Sequence, residues 1–380
     1  MDSIGLLKLK ILSRGISDGG TGLLERLHLV QNPAAIARTG NNGLFISLEP
    51  MGGGKPSPLN VAMSYNNDFA KSSPYILSEE GGKFFLLDTT SGIKYTVNIP
   101  TETPQWLLTP VGDSIAGNYV AFEGGSTVIA DITPGCIYIN KGEGCKFCGI
   151  GALDKSQMLG YAGKLKASLE IAAQAAGVDI FVLTGGNTYT RDRGAYQYVQ
   201  FVEAIKKHNK RASVSLEISP PEPSIVREVF EKLKAAGVEA ITMNLEFYSD
   251  KTRAEIMPRK GSFPREDYYH AGQVGIEIFG KNKITSGLIV GVEPLEDTKR
   301  AIDELASRGI LPEPYPFKPN AGSQMRDWPT IDPSITHEAT LYAAEAQKKH
   351  GIDPRQAGGC IACAACGVSQ ELYTQVCKLR

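Results

Sequence analysis

The stretch D-I-T-P-G-C-I-Y-I-N-K-G-E-G-C-K-F-C-G-I-G, from Asp131 to Gly151, carries three cysteines in a glycine-rich loop. They are Cys136, Cys145 and Cys148, and the loop follows directly on a strand-like run from Ser126 to Ile132. Thiolates are soft ligands that select zinc, copper(I) or iron–sulfur clusters. An all-cysteine cubane cluster normally takes four of them. Here the local count is three, and no histidine lies nearby to complete a four-ligand zinc set. Three thiolates on a four-iron cluster leave one iron open to a small molecule.

Downstream of this loop, strands and helices alternate. Apolar runs at Val178–Leu183, Ser213–Ile218, Val238–Asn244, Lys283–Val290 and Pro314–Phe317 read as strands two to six. Between and after them, helices are expected over Leu165–Ala176, Tyr196–His208, Ser224–Ala236, Arg265–Phe279, Asp297–Ser307 and Ile335–His350. Such alternation indicates βαβ units and a parallel sheet, hence an α/β fold. Six repeats fit a partial (β/α)6 TIM-like barrel, and periodicity alone also allows a six-strand doubly wound sheet. Either architecture gathers the carboxyl ends of the strands at one mouth. Residues 1–125 form a β-rich region of unknown role. A helix is expected over Thr21–Val30, a strand over Leu44–Leu48, and a hairpin from Lys83–Asp88 and Gly92–Ile99. Met51–Pro58 reads as a turn, because its glycines and Lys55 lack the spacing of a Walker phosphate loop.

The cysteine loop resembles that of the radical S-adenosylmethionine (SAM) superfamily, where an aromatic residue precedes the last cysteine, as Phe147 does here. The superfamily's usual C-x3-C-x2-C is C-x8-C-x2-C in this chain. The resemblance implies a [4Fe–4S] cluster on Cys136, Cys145 and Cys148 and a SAM adenine beside Phe147. It further implies that Gly185, Gly186 and Asn187, after strand two, hold the SAM ammonium, with Asn187 in place of the usual acidic residue. Glu217 and Glu246 stand at the ends of strands three and four, where polar contacts to SAM are expected. The run from Ser286 through Gly291 to Glu293 resembles the segment lining the adenine, its glutamate one residue early. Arg253 and Arg259 are candidate partners of the SAM carboxylate. The same run and Pro316–Gln324 resemble the biotin synthase and lipoyl synthase-like branch. Neither member's second-cluster cysteines stand where this chain's do.

The other four cysteines, Cys360, Cys363, Cys366 and Cys377, lie in the closing segment 351–380. The C-x2-C-x2-C run resembles a ferredoxin-type motif and implies an auxiliary [4Fe–4S] cluster. A structural zinc on four thiolates fits the count equally well. Charge is balanced at 40 Lys+Arg against 41 Asp+Glu, which gives no basic field for nucleic acid. With no signal-peptide core and no membrane span, the expectation is a cytoplasmic protein whose cysteines bind metal. The radical SAM reading implies a radical enzyme that abstracts hydrogen from an unactivated carbon of a small-molecule or protein-bound substrate. Its electron would come from a donor such as ferredoxin or flavodoxin. The branch resemblance and the auxiliary site suggest sulfur insertion into a C–H bond, with methylation, C–C bond formation and rearrangement as the alternatives. An iron–sulfur electron carrier and a zinc-stabilised binding module are the rivals.

Overall fold

The computed structural model describes residues 4–27, 45–48, 59–62, 68–99, 102–123, 126–133, 135–152 and 160–378. Met51–Pro58 lies outside them, as does the end of the expected Thr21–Val30 helix, of which only Leu23–Arg26 forms among the described residues. The N-terminal region contributes helix α1 (Ile4–Arg14) and strands β1 (Phe45–Leu48), β2 (Leu59–Ala62), β3 (Tyr75–Glu80), β4 (Lys83–Asp88) and β5 (Ile93–Asn98). These five pair antiparallel in the order β2-β1-β5-β4-β3. The β4–β5 turn is held by Asp88, whose carboxylate accepts from the Thr90 amide at 2.9 Å and the Ser91 hydroxyl at 2.8 Å.

The second sheet contains β6 (Ala121–Glu123), β7 (Thr127–Asp131), β8 (Ile180–Thr184), β9 (Ser213–Glu217), β10 (Ala240–Thr242), β11 (Ile284–Val290) and β12 (Leu311–Pro316). Its order is β12-β11-β10-β9-β8-β7-β6. From β7 to β12 every strand is parallel to its sequence neighbour. A doubly wound sheet reverses its strand order at a switch point, and this one never does. The sheet is therefore a partial barrel of six parallel strands. The short antiparallel β6, which the sequence reading missed, extends its first edge.

Helices α2 (Tyr161–Gln174), α3 (Val199–His208), α4 (Val226–Ala236), α5 (Asp250–Ile256), α6 (Arg265–Phe279), α7 (Leu295–Ser307) and α8 (Pro333–Lys349) follow in turn. On α4, Val226, Val229, Phe230 and Leu233 repeat at helical spacing and are all buried, so one stripe faces the sheet. Burying each such side chain contributes about 1.5–3 kcal/mol. Gly237, at φ 112°, ends the helix in the left-handed region that glycine favours.

Strand alternation divides the sheet into two faces. Val128, Ala130, Phe181, Leu183, Val214 and Leu216 join the core under the helices. Their alternates Thr127, Ser215 and Ala240 face the lumen, where full barrels carry bulky branched side chains. Here the space is taken by the chain's own end. Helix α9 (Gly359–Cys363) packs against β8, β9 and β10. A Cβ on Gly358 would stand 2.6 Å from the Ala240 Cβ, so only glycine fits there. The stretch from Gly358 to Cys366 thus enters the barrel. Helix α10 (Ser369–Lys378) then packs on α8 and α1, giving a second core with Leu9, Leu12, Leu372 and Val376. Lys8, fully buried on α1, donates to Glu371 at 2.8 Å and to the carbonyl of Ala364.

Candidate active site

A cavity of about 290 Å³ opens at the carboxyl ends of the barrel strands. Cys136, Cys145 and Cys148 line it together, as do Gly185, Gly186, Asn187, Glu217 and Glu246. Phe147 lines it too, with its ring edge-on to Phe247 at 6.1 Å.

The cysteine loop is fastened from three directions. The Ile137 amide donates to the Asn187 carbonyl at 3.4 Å, and the Gly186 amide donates to the Thr133 hydroxyl at 2.7 Å. From the far side, the Lys146 amide donates to the Ile256 carbonyl at 2.8 Å, and the Gln324 amide donates to the Lys146 carbonyl at 2.9 Å. A Cβ on Gly186 would overlap the Gly135 carbonyl oxygen and crowd the Cys136 Cα. Gly186→Ala must therefore push the loop away, and it is expected to lower iron retention after reconstitution with the fold unchanged by circular dichroism. An alanine variant that retains iron like wild type would show that the close approach is dispensable.

Electrostatically the site is a buried mixture of both signs. Glu246 sits at φ 67°, in the left-handed region that non-glycine residues seldom adopt, and accepts from Lys260 at 2.9 Å. Burial opposes the charge on Lys260, but the Glu246 carboxylate outweighs it and holds the ammonium above its ordinary pKa. Lys260 lines the cavity and was missed from the sequence, because it opens a short 3-10 turn, Lys260–Ser262, well past the end of β10 in sequence. Asn320 was also missed. Its side-chain oxygen is buried at the cavity wall with no hydrogen-bond partner. Burial pushes the Cys145 thiol up, with Lys260 opposing. Such thiols stay protonated until a metal displaces the proton.

Other sequence-predicted residues stand elsewhere. Ser286 alternates onto the helix-facing side of β11, where its hydroxyl accepts from the Leu245 amide at 3.0 Å. Gly291 lies off the cavity wall, and its φ of 99° and the nearby Ile331 side chain explain the glycine. Glu293 accepts from the amides of Tyr248 and Ser249 at the start of α5, a structural task. Arg253 is fully buried and donates to the carbonyls of Leu245 and Phe263, both at 2.8 Å. Arg259 lies over the Tyr189 ring at 5.5 Å. The cation at the cavity wall near Glu246 is Lys260 instead.

The closing segment brings Cys360 and Cys366 to the same cavity, beside Tyr315 and Lys318. The Cys360 thiol donates to Glu217 at 3.3 Å. Burial, and then the Glu217 charge, push that thiol well above its ordinary pKa. Cys363 lies deeper, next to Glu123 and Thr127. Cys377 is placed apart from them, beside Tyr373 and Arg355 at the end of α10. Among the described residues, no three His, Cys, Asp or Glu side chains converge on one point fit for a single metal ion. A four-thiolate zinc needs that convergence, at about 2.3 Å. A cubane does not, because each thiolate binds its own iron and the sulfurs stand around the cluster. The loop cysteines, spread over one cavity wall, suit the second arrangement.

Among known proteins, the bacteriochlorophyllide c C-7(1)-hydroxylase of Chlorobaculum limnaeum is 24% identical, over 57% of this chain and 58% of that protein. This chain therefore spans less than two thirds of that relative's length. Crystal structures with a similar course include methylornithine synthase (PylB), at 12% identity and TM-score 0.44 over 62% of this chain and 64% of that one. The [FeFe]-hydrogenase maturase HydG from Carboxydothermus hydrogenoformans aligns at 15% identity and TM-score 0.39, over 59% and 52%. Residues 131–312, which hold the cysteine loop, the Gly185–Gly186 turn and the Glu246–Lys260 pair, match the family model of the Radical SAM superfamily, and this match supports a radical SAM domain over the barrel.

Proposed function

We propose that this protein is a radical SAM enzyme that abstracts hydrogen from an unactivated carbon of a substrate held in the barrel cavity. The observation that carries the reading is the shared wall. Three thiols, the Gly185–Gly186–Asn187 turn and the Glu246–Lys260 pair line one cavity inside the span that matches the superfamily. Cys136, Cys145 and Cys148 would hold a [4Fe–4S] cluster, which with SAM and one electron would supply a 5′-deoxyadenosyl radical. The chain's residues then have definite tasks. Asn187 offers an amide oxygen to an ammonium, and Lys260 offers a cation to a carboxylate. Phe147, Phe247 and Phe317 form an apolar wall that keeps water from the reactive centre. The electron donor is an external carrier such as ferredoxin or flavodoxin.

The test is anaerobic reconstitution with iron and sulfide, followed by SAM and a strong reductant. Cubane amounts of iron and release of 5′-deoxyadenosine are expected; zinc without sulfide and no nucleoside would sink the reading. Asn187→Leu is expected to weaken SAM binding by about 1–3 kcal/mol through loss of a polar partner, with iron content unchanged. Equal affinity in both proteins, by equilibrium dialysis, would return that segment to an ordinary turn.

The likeness to a hydroxylase supports functionalisation of a C–H carbon. Sulfur insertion is the second reading, favoured by the thiols of Cys360 and Cys366 on the cavity wall. Reconstituting with a heavy sulfur isotope and weighing the product separates the two. Unlabelled product formed over many turnovers removes sulfur insertion.

A further inference from the structure

The closing segment enters the lumen, and what surrounds it there is unusual. Thr127, Ser215 and Glu123 are almost fully buried, at 0%, 2% and 1% exposure. Their side-chain oxygens have no hydrogen-bond partner. Buried polar atoms normally have partners, and leaving one unmet costs about 1–3 kcal/mol. Thr127 and Ser215 lie on the lumen face of β7 and β9, and Glu123 pairs with Thr127 across β6 and β7, on that same face. This is where Cys360, Cys363 and Cys366 sit.

The backbone of the motif fits a wrap around a common centre. Helix α9 places Cys360 and Cys363 one turn apart. Ala364 then takes φ 56°, a left-handed conformation costly for a residue with a side chain, and the chain reverses. The reversal returns Cys366 to the cavity wall that Cys360 also lines. The Ala364 carbonyl is held by the buried Lys8, so the turn is fixed from outside the barrel. Cys377 is not part of this arrangement, standing in the last turn of α10 beside Tyr373 and Arg355.

We propose that Cys360, Cys363 and Cys366 hold a second four-iron cluster inside the barrel, without Cys377, its thiolate-free iron turned to the cavity shared with the Cys136–Cys148 loop. The orphaned hydroxyls of Thr127 and Ser215 then gain acceptors in the cluster's sulfurs, the kind of hydrogen bond that tunes a cluster's potential. The open iron takes an anionic donor group of the substrate, in the part of the cavity that Tyr315 and Lys318 line. This deepens the proposed function, since it fixes the substrate between the two centres.

The test counts iron and sulfide in full-length variants reconstituted without SAM, so it does not depend on SAM cleavage. Wild type is expected to hold about eight iron and the Cys136/Cys145/Cys148→Ala variant about four. Adding Cys360→Ala to that variant should remove the remaining iron, whereas adding Cys377→Ala should leave it in place. Carbon-13 cyanide, as the probe for an open iron, should couple to the electron spin of the reduced cluster in the triple variant. Loss of iron on Cys377→Ala, no cyanide coupling, or zinc in place of iron and sulfide would each overturn the proposal. Thr127→Val guards against misfolding as the cause: it should leave iron at four and shift the reduction potential, and an unmoved potential also counts against the site. Absence of 5′-deoxyadenosine from a wild type that holds both clusters would instead refute the radical SAM reading alone.

Discussion

Cys148→Ala is expected to abolish 5′-deoxyadenosine release, reducing it to the rate seen without protein. The loop offers three thiols for a cluster that needs all of them if one iron is to stay open for SAM. The loss should appear first in the iron count and only then in turnover. Cys366→Ala, on the wall of the same cavity, is expected to keep SAM cleavage while losing product, because it belongs to the other cysteine group. Chromatography of the nucleoside and of the product in parallel reads both. Loss of nucleoside in both variants, each folded by circular dichroism, would mean that the seven cysteines serve one centre.

The second large effect is on stability. Lys260 and Glu246 are 12% and 10% exposed and joined at 2.9 Å. Lys260→Met leaves a buried carboxylate without its counter-charge, and breaking such a pair costs about 3–5 kcal/mol. Urea unfolding of the metal-free protein should show a large drop in midpoint. The Glu246→Gln, Lys260→Met double variant removes both charges and should recover much of the loss. A double variant no more stable than the single one would show that the two side chains are not energetically coupled. The pair also bears on function, because it is the charged partner nearest in kind to what the amino acid end of SAM requires.

How much of this was legible in the sequence depended on where the information lay. The βαβ rhythm from Ser126 onward was readable because each helix carries its own apolar stripe, as Val226, Val229, Phe230 and Leu233 do. The loop thiols and the Gly185–Gly186 turn were readable because the chemistry is written in consecutive residues. Lys260 was not, since nothing local distinguishes a loop lysine that will be buried by tertiary packing. Arg253 misled for the complementary reason: a strand-end guanidinium looks available for an anion until backbone carbonyls claim it. Ser286 fell to the period of two, which puts its hydroxyl on the helix side of the sheet. The entry of Gly358–Cys366 into the barrel did leave a trace. Thr127, Ser215 and Ala240 are small for lumen positions, and Gly358-Gly359 permits a close approach to two of them. Small lumen residues opposite a distant glycine pair are a pattern that strand-by-strand reading does not join.

The bond between Lys8 and Glu371 spans 363 positions of sequence. A chain emerging from the ribosome builds its strands in order, but part of its cavity wall is made by Cys360 and Cys366, which follow all six parallel strands. The Cys136–Cys148 loop is therefore synthesised more than two hundred residues before the segment that closes the space beneath it. Contacts of such separation form slowly, because the entropy of closing so long a loop is lost before they can reward it. During that interval the loop thiols face an open lumen that assembly proteins and oxidants can both reach. Metal loading and chain closure thus compete in time, and a strand-complete barrel not yet joined by the segment around Cys360 and Cys366 is the species most exposed to oxidation.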